Sequence, residues 1–273
     1  MKNFKKLLAV LLAGLMLLSL VACGGKDDVA KHGVLEGIGM DSIRSEEHSA
    51  HMNVPNTTTE RVNYNNLSSA LMDLESGKLV GVGVEGCVAD YVAAHNEKIV
   101  VKMKNNDSMT NFSMMTMENN KEVYDILNNA IKDMKADGTL DSLIANELKA
   151  YINSDPTPKE LPHFDGAMTI KVGVTGDVPP MDYVAANGKA AGFNIALLAE
   201  IANRAQVNIE LVQIETGARA IALSNGKVDA VFWTKGMTCT VCGAEGAEKV
   251  DGTLVTESYF SDCFAIIALK SDK

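Results

Sequence analysis

The chain has 273 residues, of which 47% are hydrophobic and 22% are charged. This balance is typical of a globular protein and excludes a disordered chain and a multispan membrane protein. The formal charge of −10 comes from 25 Lys and Arg against 35 Asp and Glu. Because an acidic chain repels phosphate backbones, we do not expect general nucleic-acid binding.

The first 22 residues predict an export signal. Three lysines lie among the first six residues, and the uncharged run Leu7–Val21 follows them. That run is short for a membrane span, which needs about 20 apolar residues, and it fits a signal peptide. It ends in Leu20-Val21-Ala22-Cys23, which resembles the bacterial lipobox, in which the cysteine is lipidated and becomes the mature N-terminus. The alternative is an uncleaved anchor helix, and both interpretations place the rest of the chain outside the membrane.

Strand and helix patterns alternate along the rest of the chain. The predicted strands lie at 79–84, 99–103, 112–117, 168–174, 208–214, 228–233 and 264–269. The predicted helices lie at 41–52, 66–76, 87–95, 119–136, 140–152, 191–205 and 217–224. Residues 53–60 and 235–253 are predicted loops, and the proline-rich segment 153–167 is the predicted linker. This alternation indicates an α/β fold with mainly parallel sheets.

A first group of motifs resembles a known family. The motifs fall in order, at Ile170–Tyr183, Asn187–Phe193, Leu197–Ala202, Ala222–Val231, Ser258–Asp262 and Phe264–Leu269. Together they are similar to the opening lobe and crossover strand of the family-3 extracellular solute-binding proteins. The resemblance covers about residues 168–273 and implies the type 2 periplasmic binding fold, with two lobes joined by crossover strands.

A second group resembles the end of the same family but comes first in this chain. It comprises Ala70–Lys78 and Asn119–Leu143, the latter containing Lys135–Leu140. Two explanations are open, a circular permutation and a fusion of two incomplete fragments. The permutation explains more, because the family's chain ends both lie in lobe one, where 153–167 would join them. Chain ends that are exposed and close together tolerate such a change.

The permuted interpretation divides the chain into seven parts. They are a lipoprotein signal peptide (1–22), a tether (23–31), lobe two (32–111), a return strand with the closing helices of lobe one (112–152), the linker (153–167), the core of lobe one (168–257) and a crossover strand (258–273).

The resemblance implies a ligand cleft between the lobes. Glycine turns and helix N-termini there direct N–H groups at a ligand's anion, and the candidate turn in lobe two is Gly37-Ile38-Gly39. Glu85 falls where the family often places an acid for the ligand's amino group. The lobe-one candidates are Asp177, Met181, Tyr183, Trp233 and Thr234. Tyr183 has the alternative role of bracing its turn and Trp233 that of a core residue, and Phe193 is expected to pack in the core.

One departure from the family concerns charge. Amino-acid binders of this family usually carry an Arg that grips the ligand carboxylate bidentately, but Thr238–Lys249 holds none. An ordinary α-amino acid is therefore in doubt as the ligand, and Arg219 and Lys235 are the possible substitutes. The pair Cys239 and Cys242 permits a loop disulfide, half a metal site or a redox pair, of which we favour the disulfide or plain thiols.

These features predict a lipid-anchored, extracytoplasmic solute-binding protein. It would capture a small polar solute, amino-acid-like or a small carboxylate or amine, for the permease of an ABC importer. We expect a monomer, with no catalytic residue, cofactor or metal. The alternatives are a sensory or degenerate binding lipoprotein without a transport role, and a dehydratase-like enzyme on the same fold.

Overall fold

The computed structural model describes residues 29–35, 60–239, 245–247 and 250–270. From Lys31 onward they form one compact unit. The predicted signal peptide, Cys23, the Gly37–Gly39 turn and Cys242 lie outside the described residues.

Strands and helices alternate along the described chain, as the sequence predicts. The strands are β1 Lys31–Leu35, β2 Glu60–Tyr64, β3 Gly81–Glu85, β4 Ile99–Met117, β5 Thr169–Val174, β6 Asp177–Val178, β7 Asp182–Val184, β8 Ala190–Ala191, β9 Asn208–Gln213, β10 Ala230–Cys239, β11 Glu245–Ala247, β12 Thr253–Val255 and β13 Phe260–Leu269. The α-helices are α1 Leu67–Glu75, α2 Gly86–His95, α3 Lys121–Asp137, α4 Thr139–Leu143, α5 Phe193–Ala205 and α6 Arg219–Ser224.

Ten of these strands form one mixed sheet in the order β2-β1-β3-β13-β4-β10-β5-β9, with β11 paired to β10 and β12 to β4. Strands β2, β1 and β3 pair in parallel at one end, which we call the lobe-two half. Strands β10, β5 and β9 pair in parallel at the other end, which we call the lobe-one half. Strands β4 and β13 run antiparallel to each other between the two halves. The fold is therefore α/β, which confirms the predicted fold class, but the prediction of mainly parallel sheets is wrong, because β3, β4, β10, β11, β12 and β13 also pair antiparallel.

The two long strands β4 and β13 connect the halves. Strand β4 is 19 residues long. Its first part pairs with β13 alone, whereas its later part also pairs with β10. The separate strands predicted at 99–103 and 112–117 are thus one strand. The polar residues between them show no apolar alternation, but the strand continues through them because it pairs with β13 and, from Ser108 onward, also with β10.

The hydrophobic core lies between the sheet and its helices. Helix α5 buries one apolar face there, and Phe193 at its start is 0% exposed. Phe193 packs against Phe260 with ring centroids 5.7 Å apart, which confirms that it is a core residue. Met114 and Met115 on β4 are also fully buried, so these two methionines fill the core.

Three predicted segments differ from the structure. The helix predicted over 140–152 ends as α-helix at Leu143 and continues as a π turn and a 3-10 turn to Tyr151. The loop predicted over 235–253 contains the end of β10, together with β11 and β12. Strand β2 was missed because its residues are mostly polar, and it forms through parallel pairing with β1.

Candidate functional site

The loops that follow parallel strands bring the predicted site residues to the boundary between the two halves. In α/β sheets, ligands bind at the carboxyl ends of the strands. In the lobe-one half, these loops follow β5 and β9. In the lobe-two half, the corresponding loops lead from β2 into α1 and from β3 into α2.

Asp182 anchors the turn that follows β5. Its side chain is 0% exposed. Its Oδ1 accepts hydrogen bonds from the Thr175 hydroxyl and the Gly176 N–H, and its Oδ2 accepts one from Asn194 Nδ2 at 3.2 Å. These bonds fix the turn that presents Asp177. The sequence prediction did not assign Asp182 a role, although it lies inside the motif Ile170–Tyr183.

Asp177 reaches across the boundary to the lobe-two half. Its Oδ2 accepts a hydrogen bond of 2.9 Å from the N–H of Leu67, the first residue of α1, and a longer one of 3.5 Å from Ser68 N–H. Burial raises the pKa of the Asp177 carboxyl, although these N–H donors act in the opposite direction. The chain's own carboxylate therefore occupies the N-terminus of α1, which has partial positive charge.

Thr216 makes a second contact between the halves. Its backbone N–H donates to the carbonyl oxygen of Asn65 at 3.1 Å, and its hydroxyl donates to the same oxygen. Asn65 lies between β2 and α1, only two residues before Leu67. The sequence prediction missed this contact, because a lone threonine after a strand carries no distinctive signal.

Arg219 is held within the lobe-one half. It is 1% exposed, and its guanidinium donates to the backbone carbonyls of Thr216 at 2.9 Å and Phe232 at 3.0 Å. Arginine presents five N–H donors in a fixed fork, and here at least two of them serve the scaffold. Arg219 thus holds the loop that carries Thr216.

Glu85 and Asp262 lie together where β3 meets α2. Glu85 is 6% exposed and is the last residue of β3. Asp262 on β13 accepts hydrogen bonds from Cys87 N–H at 2.7 Å and Cys263 N–H at 2.8 Å. Burial raises the pKa of the Asp262 carboxyl, and the negative charge of Glu85 adds to the effect. Asp262 thereby caps α2 in the way that Asp177 caps α1.

Tyr183 lies on the lobe-one side of the boundary, opposite Asp177 in the small β6–β7 ladder. It is partly exposed. Burial is the main cause of the raised pKa of the Tyr91 hydroxyl on α2, and the nearby Tyr183 adds to the effect. The Tyr91 hydroxyl donates to Asp155 of the linker at 2.6 Å, and its ring stacks on His95 at 3.9 Å. The linker therefore touches the lobe-two half.

The other predicted site residues lie elsewhere. Met181 is 0% exposed and belongs to the hydrophobic core, and its role in lining the cleft stays a prediction. Trp233 and Thr234 lie on β10, where the register with β4 shifts between Val231 and Thr234. Cys239 ends β10.

The charges at the boundary are mainly negative. Glu85, Asp177 and Asp262 are at least partly buried there, and the N-termini of α1 and α2 are occupied by carboxylates of the chain itself. Among the described residues, no group of three or more His, Cys, Asp or Glu is arranged to hold a metal ion. A shallow surface depression of about 710 Å³ lies at the opposite, C-terminal end of α2, beside His95 and Lys270.

Comparison with known proteins finds a family match for one part of the chain. Residues 170–264 match the model of the bacterial extracellular solute-binding proteins, family 3. No curated protein sequence matches the chain. Within the part of the chain that the structure describes, no helix has the length and apolarity needed to cross a membrane.

Several solved structures are similar at low identity. One is the ligand-binding component of an ABC-type import system from Staphylococcus aureus with zinc bound, at 12% identity and a TM-score of 0.43, covering 88% of this chain and 65% of that one. The GluR0 ligand-binding core with L-glutamate has 13% identity and a TM-score of 0.38, covering 91% and 87%. The sulphonate-binding protein SsuA of Escherichia coli has 10% identity and a TM-score of 0.39, covering 90% and 62%.

The chain thus spans about 65% of the length of the Staphylococcus aureus protein. The matched residues 170–264 include Asp177, Tyr183, Trp233 and Thr234. The match covers less than half of the chain, and over residues 170–264 it confirms the resemblance of the first motif group to the family-3 bacterial extracellular solute-binding proteins.

Proposed function

We propose that the chain is an extracytoplasmic solute-binding protein that captures a small polar solute between the two halves of its sheet. The observation that carries the proposal is the Asp177 contact. A residue inside the family-matched segment reaches from the lobe-one half to the first N–H of α1 in the lobe-two half. The loops around this contact are those that would close over a solute, as in the hinge closure of two-lobed binding proteins.

The solute that fits best is a small amine. A carboxylate on the ligand needs an N–H cradle or an arginine fork. Here, Asp177 and Asp262 fill the N-termini of α1 and α2, and Arg219 donates to backbone carbonyls. The boundary instead offers buried carboxylates, chiefly Glu85, to a positively charged group.

The order of the strands supports a circular permutation. In each half, the strand that comes first in the chain lies in the middle, giving β2-β1-β3 and β9-β5-β10. The two halves thus repeat one arrangement, as complete lobes would, which favours a permuted whole over two incomplete fragments. A chain reconnected to begin at Met168 and to end at Ile152 should unfold cooperatively and retain ligand affinity. Loss of the cooperative unfolding transition would instead favour a fusion of two incomplete fragments.

The N-terminal sequence supports membrane attachment through a lipid on Cys23, and the family match supports delivery of the solute to an ABC permease by a monomer. Palmitate labelling of the chain expressed in a bacterium tests the lipid. We expect the wild type to carry the palmitate label and Cys23→Ser to carry none.

A thermal-shift panel of amines, amino acids, small carboxylates and peptides tests the binding function. A ligand that binds only the native state stabilises it by about 2.7 kcal/mol at a hundredfold excess over its dissociation constant. We expect a hit among the amines. A cooperative transition without any hit would favour a sensory or degenerate protein. Chemical conversion of a hit would favour an enzyme.

A further inference from the structure

Two buried cysteines lie beside the same carboxylate, that of Asp262, where α2 begins. Cys87 is the second residue of α2 and Cys263 lies on β13, and both are buried and unbridged in the structure. Each thiol interacts with the same carboxylate, that of Asp262. These two cysteines are different from Cys239 and Cys242, the pair considered in the sequence analysis.

The register between β3 and β13 brings these cysteines together. Glu85 pairs with Phe264 at the end of the antiparallel ladder, so Cys263 lies one residue and Cys87 two residues from the last pair. A Cβ placed on Gly86 would lie only 2.6 Å from Cys263 Sγ, which shows that this sulfur sits directly over the start of α2. The Asp262 carboxylate accepts hydrogen bonds from the N–H groups of both cysteines, at 2.7 Å from Cys87 and 2.8 Å from Cys263, so the backbones of the two cysteines meet at one carboxyl group.

We propose that Cys87 and Cys263 form a disulfide in the exported protein, tying the start of α2 to β13. Exported proteins meet oxidising conditions. Each thiol loses its proton, and the two electrons pass to an extracytoplasmic disulfide oxidant, which is reduced to two thiols as the Cys87–Cys263 bond forms. The bond fixes the segment that carries Glu85, so it holds one wall of the proposed solute site whether or not the amine proposal is correct.

Burial also sets when the bond can form. It raises the pKa of both thiols, with the nearby Asp262 charge as a further cause. Because the thiolate is the attacking species, the folded, reduced protein reacts slowly. The disulfide therefore forms while β13 and α2 assemble.

Peptide mapping of the full chain tests the proposal. Trypsin releases Cys87 in 79–98, Cys263 in 250–270, and Cys239 with Cys242 in 236–249. The chain is refolded with oxidised glutathione, denatured and labelled with maleimide before digestion. We expect the peptides 79–98 and 250–270 to carry no label and to be joined to each other. Full labelling of both peptides, or a link from either one to 236–249, would overturn the proposal.

A stability measurement checks the same bond independently. A disulfide closing so long a loop raises the melting midpoint, here by about 5–10 °C. Reductant should lower the midpoint of the oxidised wild type by this amount more than it lowers the midpoints of Cys87→Ser and Cys263→Ser. An equal effect of reductant on the wild type and both variants would contradict the assignment.

Discussion

Replacing Asp177 tests whether the two halves of the sheet are held together as described. Asp177→Ala removes the acceptor that Leu67 N–H uses at 2.9 Å. Leu67 is 2% exposed, so water has poor access to the N–H left behind. Loss of such a cap costs about 1 kcal/mol, and an unsatisfied buried donor about 1–3 kcal/mol. We expect Asp177→Ala to lower the free energy of unfolding by about 1–2 kcal/mol at pH 7, measured by urea denaturation.

Asn66→Ala is the matched control. The Asn66 side chain caps the same helix by accepting from Ser69 N–H at 2.8 Å, but it lies within the lobe-two half. Its removal should also cost about 1 kcal/mol. Only Asp177→Ala should change solute affinity, since only Asp177 spans the two halves. Equal affinity in both variants would refute the assignment of Asp177 to the site.

Asp177→Asn separates charge from hydrogen bonding, because asparagine keeps an acceptor and carries no charge. Burial raises the folded-state pKa of Asp177 above its unfolded value. The stability this group contributes is therefore fully present below the unfolded pKa and is lost as the pH rises through the folded pKa. We expect the variant to gain stability relative to the wild type between pH 3 and pH 7. A relative loss over that range would show that the folded state favours the charge.

Three further substitutions test the scaffold and are measured by urea denaturation. With reductant present, so that no disulfide contributes, Gly86→Ala should cost about 1–3 kcal/mol, because the new Cβ lies 2.6 Å from Cys263 Sγ, and Cys263→Ala should recover part of that loss; no recovery would refute the contact. Phe193→Ala should cost about 3–5 kcal/mol, since the ring is fully buried; a cost below 1 kcal/mol would refute its core role. Arg219→Met should cost about 2–4 kcal/mol by leaving two buried carbonyls without their donors, and an unchanged value would refute that role.

Local patterns in the sequence predicted most of the elements. The periodic apolar residues of α3 and α5 fixed their bounds within about two residues. The continuity of β4 was not predictable, because its middle is polar and depends on β10 and β13, which are distant in sequence. Strand β2 was missed for the same reason, since it exists through its pairing with β1.

The candidate site was predicted in part. Asp177 and Glu85 were singled out by resemblance, but neither their burial nor the capping role of Asp177 follows from local sequence. Asp262 caps α2 from a strand 175 residues further along the chain, and no local pattern reveals such a partner. Met181 was singled out by its place in a motif, and that motif does not reveal that its side chain is fully buried.

Direct titration of an amine into the purified protein tests the central claim. With the amine that gives the largest thermal shift, calorimetry should show one site per chain on the wild type. Glu85→Gln should bind at least tenfold more weakly, and Asn66→Ala should bind within about twofold of the wild type; tenfold corresponds to about 1.4 kcal/mol. If no amine binds, or if Glu85→Gln binds as tightly as the wild type, the proposed solute site is contradicted.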